Sequence, residues 1–237
     1  MANSAGEPLN PEVIRWFEQH VGCSIYDHYG QTEQGMFVCN YHTLSHPRHP
    51  GAMGLPFPGF RVVLLDDQFR EVGPGHTGQI AIDRTQSPLY LFPGYWQQAT
   101  SACYHGPYYL TGDTADLSED GAFTFVGRSD DIITSAGYRI GPFEVESTLL
   151  EHPAVAESAV VGKPDAERGE IVKAFVVLRS TYAPSPELAS DLQHHVRQRL
   201  STHAYPREIE FVTSLPKTPS GKIQRFVLRQ QGAVPTH

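Results

Sequence analysis

The chain has 237 residues, a formal net charge of -8 at pH 7, 40% hydrophobic residues and 19% charged residues. That length suits one large or two small folded domains, and the composition excludes the polar, highly charged class of disordered chains. The acidic balance and the lack of a long basic run exclude a broad nucleic-acid surface, and no apolar run approaches the length of a membrane span.

Cys23, Cys39 and Cys103 are odd in number and far apart, which fits neither a disulfide framework nor a Cys-x-x-Cys metal site and suits a reducing compartment. Met1 to Gly6 lacks a charged-then-apolar signal pattern, so the cytoplasm is the default location; a targeting segment on a lost N-terminus would be invisible.

Asn10-Pro11-Glu12 followed by Val13, Ile14, Trp16 and Phe17 predicts a helix capped by Asn10 and ending near Gly22. Cys23 to His28 reads as a short strand running into a glycine-containing turn. The stretch 41–58 reads as a loop punctuated by Pro47, Pro50, Pro56 and Pro58. Arg61 to Leu65, Gly78 to Ile82 and Ala122 to Val126 are β-rich stretches that suggest a small antiparallel sheet or barrel. Beyond Arg128 the texture alternates: helices over Pro142 to Glu151 and Glu187 to Leu200, strands over Val155 to Gly162, Val172 to Leu178 and Ile209 to Val212. The boundary falls in the polar stretch Gly127 to Asp131, a hinge or an ordinary loop.

Three segments carry chemistry. Tyr29-Gly30-Gln31-Thr32-Glu33 places a hydroxyl, backbone N–H groups and a carboxylate where a phosphate and its Mg²⁺ could be held, although a turn followed by a solvated acid has the same composition. Thr111-Gly112-Asp113 and Arg128 offer two polar groups suited to a ribose diol; the alternative is a surface ion pair of little worth. Pro216 to Lys222 is a turn-rich loop with a lysine after a glycine. It is not a phosphate-binding loop of the Gly-Lys-Ser/Thr kind, because Ile223 follows the lysine and no earlier glycine is in register. His42, His46 and His49 have helical metal-ligand spacing, but Pro47 and Pro50 break any helix. His194-His195 reads as part of a solvated helix face.

The combination is more specific than its parts. Tyr29 to Glu33, Thr111-Gly112-Asp113, Gly127 to Ile133 running on to Ala136-Gly137-Tyr138-Arg139 and Glu144-Val145-Glu146, then Pro216 to Arg225, occur in an order that resembles the AMP-forming acyl-CoA synthetases of the adenylate-forming superfamily. Gly94-Tyr95-Trp96, Glu151 to Val155, Pro164-Asp165 to Arg168-Gly169-Glu170 and Tyr205-Pro206-Arg207 resemble it too. The likeness covers about residues 6–231, is nearest to the medium-chain enzymes, and falls in their C-terminal part.

The resemblance implies a fold with α/β and α+β parts. Residues 1–129 would be the end of a large N-terminal adenylation domain with a small β-barrel-like subdomain, and residues 131–237 a small mobile C-terminal α+β domain, with Asp130 at the hinge. It implies that Tyr29, Gly30, Gln31, Thr32, Asp113, Arg128 and Arg139 bind ATP or AMP, with Asp113 and Arg128 on the ribose. Glu33 would be the Mg²⁺ ligand and Lys222 the adenylation lysine. Ala136, Gly137, Tyr138, Arg168, Arg197 and Tyr205 would bind coenzyme A. Phe143, where a smaller residue is frequent, and Ala204, in place of a common basic residue, depart from the pattern.

In such an acid–thiol ligase a carboxylic or fatty acid attacks the α-phosphate of ATP, and coenzyme A then attacks the acyl-adenylate after the small domain has swung about the hinge. The family's phosphate loop and most of its acyl pocket lie in several hundred residues before the position of Met1, so the chain is expected to be incomplete alone and to need that N-terminal portion. The alternatives are a non-catalytic nucleotide- or CoA-binding module and an inactive interaction protein of the same fold.

Overall fold

A computed structural model describes residues 1–97, 99–219 and 221–233. The chain divides into two units, Met1–Ser129 and Asp130–His237. The first opens with β1 (Ala2–Ala5) and α1 (Pro11–His20). The Asn10 side chain accepts the Glu12 N–H at 2.8 Å and Pro11 occupies the first turn, where an N–H would have no partner. None of the residues of α1 is buried, and Val13 and Trp16 stay exposed.

There follow β2 (Ile25–Gln31), β3 (Gly35–Cys39), β4 (Ala52–Pro56), β5 (Val62–Leu65), β6 (Glu71–Val72), β7 (Thr77–Asp83), β8 (Tyr104–His105), β9 (Tyr108–Leu117) and β10 (Phe123–Arg128). They join β1 in one sheet of order β1-β2-β3-β4-β10-β9-β7-β5-β6, with β8 added beside β9. Among the described pairings of this sheet, only β1–β2 is parallel. The β-rich layer expected from the sequence is an open antiparallel sheet; among the described residues β1 and β6 are its free ends and no barrel closes. Phe37, Met53, Leu64, Ile80 and Ile82 fill its core, each such burial being worth about 1.5–3 kcal/mol.

The second unit contains β11 (Ile133–Ser135), β12 (Tyr138–Ile140), α2 (Pro142–Leu150), β13 (Val155–Asp165), β14 (Gly169–Leu178), α3 (Pro186–Arg199), β15 (Glu208–Phe211) and α4 (Arg225–Ala233). Its sheet runs β12-β11-β14-β13, with β15 parallel to β14. Strand alternation sorts the core into two faces. Val160, Val172, Ala174 and Val176 pack with Val145 and Leu149 of α2 and Leu192 and Val196 of α3. Ala159, Val161 and Phe175 point the other way, onto Leu215 and onto Leu228 of α4. No helix among the described residues is long and apolar enough to cross a membrane.

Candidate active site

In the first unit the chemistry gathers where β2, β9 and β10 meet. Tyr29, Gly30 and Gln31 lie within β2, so the strand runs three residues beyond the expected His28 and the turn is Thr32-Glu33-Gln34. Gly30 permits this. A Cβ there would stand 2.2 Å from the Gly35 carbonyl oxygen, and the β2–β3 register shifts between Tyr29 and Gly30.

Thr111-Gly112-Asp113 is a bulge inside β9 and not a free turn. Gln79 of β7 pairs with Thr114 while Ala81 pairs with Leu110, so β9 carries extra residues between them. Gly112 takes φ +75° at that point, the left-handed conformation that a turn also demands. The Thr111 hydroxyl pins the bulge by donating to the Ile80 carbonyl at 2.8 Å and accepting the Asp113 N–H at 3.1 Å. Arg128, at the end of β10, pairs in register with Asp113.

The bulge holds Asp113 as a buried carboxylate, 5% exposed. Its Oδ2 accepts the Tyr29 hydroxyl at 2.6 Å and the Gln31 amide at 3.0 Å, while Arg128 Nη1 lies 3.3 Å from Oδ1. The Gln31 amide also donates to the Thr111 carbonyl at 2.8 Å, and its oxygen accepts the Tyr109 hydroxyl at 3.1 Å. Burial pushes the Asp113 carboxyl above its ordinary value; hydrogen bonding from Tyr29 and the nearby Arg128 charge oppose that shift. Burial, with the Asp113 charge second, holds the Tyr29 hydroxyl well above its usual range, so it remains a donor. The Arg128 side chain is 50% exposed. A buried, braced acceptor beside a half-exposed guanidinium is not the solvated surface pair that the alternative reading supposed.

Thr32 is exposed at the turn. Glu33 Oε1 accepts the Tyr95 hydroxyl at 2.6 Å, and that bond to a carboxylate pushes the Tyr95 hydroxyl up to about 12. No group of three or more His, Cys, Asp or Glu residues among those described is placed to hold a metal. A single carboxylate such as Glu33 still fits Mg²⁺, which is commonly held by one or two carboxylates together with substrate phosphates. The three spaced histidines have separate partners: His42 meets Asn3 at 2.6 Å, His46 meets Asn40 at 3.4 Å and His49 meets Asp120 at 2.7 Å.

In the second unit, Ala136 and Gly137 form the two-residue turn between β11 and β12, with φ +50° and +85°. Paired positive φ values are what a tight hairpin of this twist requires. The Ala136 N–H donates to the Arg168 carbonyl at 2.9 Å, which ties the hairpin tip to the β13–β14 turn. Among the described residues, Arg168 Nε is buried with no hydrogen-bond partner. Tyr138 stacks on His203 with ring centroids 3.7 Å apart, and two residues on, Tyr205 has the guanidinium groups of Arg197 and Arg207 at 5.7 and 5.0 Å from its ring. The six residues expected to meet coenzyme A thus fall into two groups, Ala136, Gly137, Tyr138 and Arg168 at the hairpin and Arg197 with Tyr205, which adjoin along the chain through His203-Ala204-Tyr205. His203 and Arg207 stand beside them, as the ring stacked on Tyr138 and the second guanidinium over Tyr205. Arg207 stood in the family-like segment without a role, and His203 gave no signal. Arg139 lies exposed on β12, in register with Thr134.

Lys222 closes a small loop. Lys217 pairs with Ile223, the Thr218 N–H donates to the Lys222 carbonyl at 2.8 Å, and the Lys222 N–H donates to the Thr218 hydroxyl at 3.1 Å. Gly221, at φ +90°, makes the bend; Ser220, part of the expected motif, lies outside the described residues. Asp130 begins the unit, and its carbonyl accepts Arg229 Nη1 at 3.0 Å. His195 is not simply solvated: it is half-buried, its Nε2 lies 3.0 Å from the Thr148 carbonyl, and burial lowers its pKa.

Residues 1–96 match the family model described as AMP-binding enzyme, and residues 144–222 the model described as AMP-binding enzyme C-terminal domain. The chain is 46% identical over 238 residues to acyl-coenzyme A synthetase ACSM3, mitochondrial, of Mus musculus, a match covering 98% of this chain and 41% of that protein. A solved Brucella canis acyl-CoA synthetase is 58% identical, covering 97% of this chain and 42% of its own, at a TM-score of 0.56. A benzoate CoA ligase from Burkholderia xenovorans LB400 is 39% identical, covering 96% and 45%, at a TM-score of 0.83. The chain belongs to the adenylate-forming AMP-binding enzymes and corresponds to the C-terminal part of their acyl-CoA synthetases. It spans about 40% of the length of the curated relatives it matches.

Proposed function

We propose that the chain supplies the C-terminal part of an AMP-forming acid–thiol ligase, which joins a carboxylic or fatty acid to coenzyme A through an acyl-adenylate, and that it acts together with the N-terminal portion its relatives possess. The observation that carries this reading is Asp113, a buried carboxylate braced by Tyr29 and Gln31 beside Arg128. Vicinal ribose hydroxyls can donate to such a carboxylate, and each charge-assisted bond is worth about 1.5–3 kcal/mol.

In this proposal Tyr29 to Thr32 and Arg139 contact the nucleotide, and Glu33 would hold Mg²⁺, whose charge would offset the repulsion between the two anions. The acid carboxylate attacks the α-phosphate. Lys222 stabilises the charge that develops there, and pyrophosphate leaves. Residues 131–237 then turn about Asp130, and Ala136, Gly137, Tyr138, Arg168, Arg197 and Tyr205 present coenzyme A, whose thiolate displaces AMP from the acyl carbonyl. The three scattered free cysteines support a reducing compartment, for which we keep the cytoplasm.

The test is calorimetric titration of the chain with AMP and with its 2′,3′-dideoxy analogue. AMP should bind, and removing the diol or making Asp113→Asn should weaken binding at least about tenfold. Equal binding of both nucleotides, or no effect of Asp113→Asn, refutes the ribose assignment. ATP–pyrophosphate exchange separates the remaining readings: an enzyme exchanges label, a binding module only retains nucleotide, and an interaction protein does neither.

A further inference from the structure

Lys222 precedes α4 by three residues, and the base of its loop is shut by the Lys217–Ile223 bridge and by the Gln224 N–H donating to the Pro216 carbonyl at 2.9 Å. The loop therefore rides on α4. The helix is fixed in three ways. Leu228 inserts among Ala159, Val161 and Phe175. Arg225, its first residue, forks onto Glu146 of α2, with Nη2 at 2.9 and 2.8 Å from the two carboxylate oxygens. Glu146 is 5% exposed, and its Oε1 also accepts the Val160 N–H of β13 at 2.8 Å, so this anchor reaches the centre of the unit. One turn along α4, Arg229 Nη1 lies 2.7 Å from Asp131 Oδ1 and 3.0 Å from the Asp130 carbonyl. Arg225 Nη1 stands 4.0 Å from the other Asp131 oxygen. The i, i+4 spacing puts both arginines on one face of the helix, toward the start of the unit.

We infer that Arg229, assisted by Arg225, is a positioning residue for Lys222. It lashes the segment Asp130–Asp131 to α4, so that the pivot segment and the lysine loop move as one lever. The inference rests on the roles proposed above for Asp130 and Lys222. Without the clamp a polar linker would bend at several peptide bonds, and rotation there would not transmit a defined displacement to the loop. With it, charge-assisted bonds to both a carboxylate and a backbone carbonyl fix the direction of the first residues after Ser129. Glu146 then carries the same frame to α2 and β13.

Hydrogen exchange by mass spectrometry on the full chain tests this, comparing wild type, Arg229→Met and Arg229→Lys over peptides spanning 129–135, 216–224 and 155–178. The methionine variant should exchange at least about tenfold faster in both 129–135 and 216–224, with 155–178 unchanged, and lysine, which retains the charge beside Asp131, should restore most of the protection. Faster exchange confined to 225–233, or a uniform rise in all three peptides, overturns the coupling. So does an unchanged variant in which 129–135 already exchanges fast. If wild-type 129–135 is as protected as 155–178 and the variant leaves it so, the pivot reading of Asp130 falls together with the clamp.

Discussion

The Tyr29 hydroxyl and the Asp113 carboxylate, 84 residues apart in sequence, meet at 2.6 Å. Burial raises the pKa of both groups, yet in Asp113 the hydrogen bond from Tyr29 works against burial and favours the ionised form. Under the proposed function, ionised Asp113 is the form that would accept the ribose hydroxyls. Tyr29→Phe should therefore raise the Asp113 pKa further and move the acid limb of AMP binding to higher pH. Affinity at neutral pH should fall on the order of tenfold, the worth of one charge-assisted bond. AMP titrations over about pH 4.5–8 check this; an acid limb that stays in place would mean that Tyr29 does not tune the carboxylate.

Asp27 makes a pH-dependent prediction about stability. Burial raises its carboxyl from 3.8 to about 6, against hydrogen bonds from the Leu9 and His28 N–H groups. The folded carboxyl holds its proton more tightly than the unfolded one. Its contribution to stability is thus complete below 3.8 and lost as the pH rises through about 6. Asp27→Asn removes that loss, although a single amide oxygen can serve only one N–H fully. Relative to wild type, the variant should gain about 2–3 kcal/mol in unfolding free energy between about pH 4 and pH 7.5. Urea unfolding across that range measures it, and parallel stability curves would contradict the burial argument.

Two glycines with positive φ should differ in how much a methyl group costs. At Gly54, φ +101°, a Cβ would lie 2.2 Å from the Cys39 carbonyl oxygen, whereas at Gly137, φ +85°, nothing lies within 4 Å. Gly54→Ala therefore meets backbone that cannot yield and should cost more than about 3 kcal/mol. Gly137→Ala adds only left-handed strain, about 1–2 kcal/mol. Thermal unfolding of the two variants gives the comparison, and similar losses would show that the β3–β4 contact relaxes.

Much of the second unit was legible because β13 carries a short apolar run and α3 a spaced apolar pair, Leu192 and Val196: Val155 to Gly162 and Glu187 to Leu200 lie within an element or differ from it by a residue or two. The strand β9 was hidden by its own bulge, since Thr111-Gly112-Asp113 has turn chemistry wherever it occurs. β4 lay concealed among prolines, one of which, Pro56, ends it. The helix α4 offered little apolar periodicity, because it is held by Leu228 and by arginines paired with distant acids. In the site, motif order brought Asp113 and Arg128 together. The bracing by Tyr29 and Gln31, and the stacking of Tyr138 on His203, come from contacts across the fold that no local spacing encodes.

Residues 130–237 should fold when expressed alone. Their sheet has one face covered by α2 and α3 and the other by α4 and Leu215, so the core is closed by the unit's own elements. A cooperative thermal transition and dispersed amide resonances are expected. Loss of both in the isolated segment would mean that its core depends on residues 1–129.

Lys222→Ala should separate the two half-reactions in an enzyme completed with the N-terminal portion of a relative. The loop that carries Lys222 is small and hydrogen-bonded through Thr218, and Lys222 itself is exposed, so truncating its side chain leaves the fold intact. The lysine charge would act on the phosphate where negative charge grows during acyl-adenylate formation. Its removal should cost about 3–4 kcal/mol in that step, by analogy with the loss of a preorganised electrostatic donor. Coenzyme A, by contrast, is proposed to meet the Ala136–Gly137 hairpin and the Tyr205 cluster, neither of which includes Lys222. Supplying preformed acyl-AMP and coenzyme A bypasses the first step, and thioester should then form at a rate near wild type. Equal losses in both steps would assign Lys222 to general nucleotide binding, and the division of labour between the lysine loop and the hairpin would have to be given up.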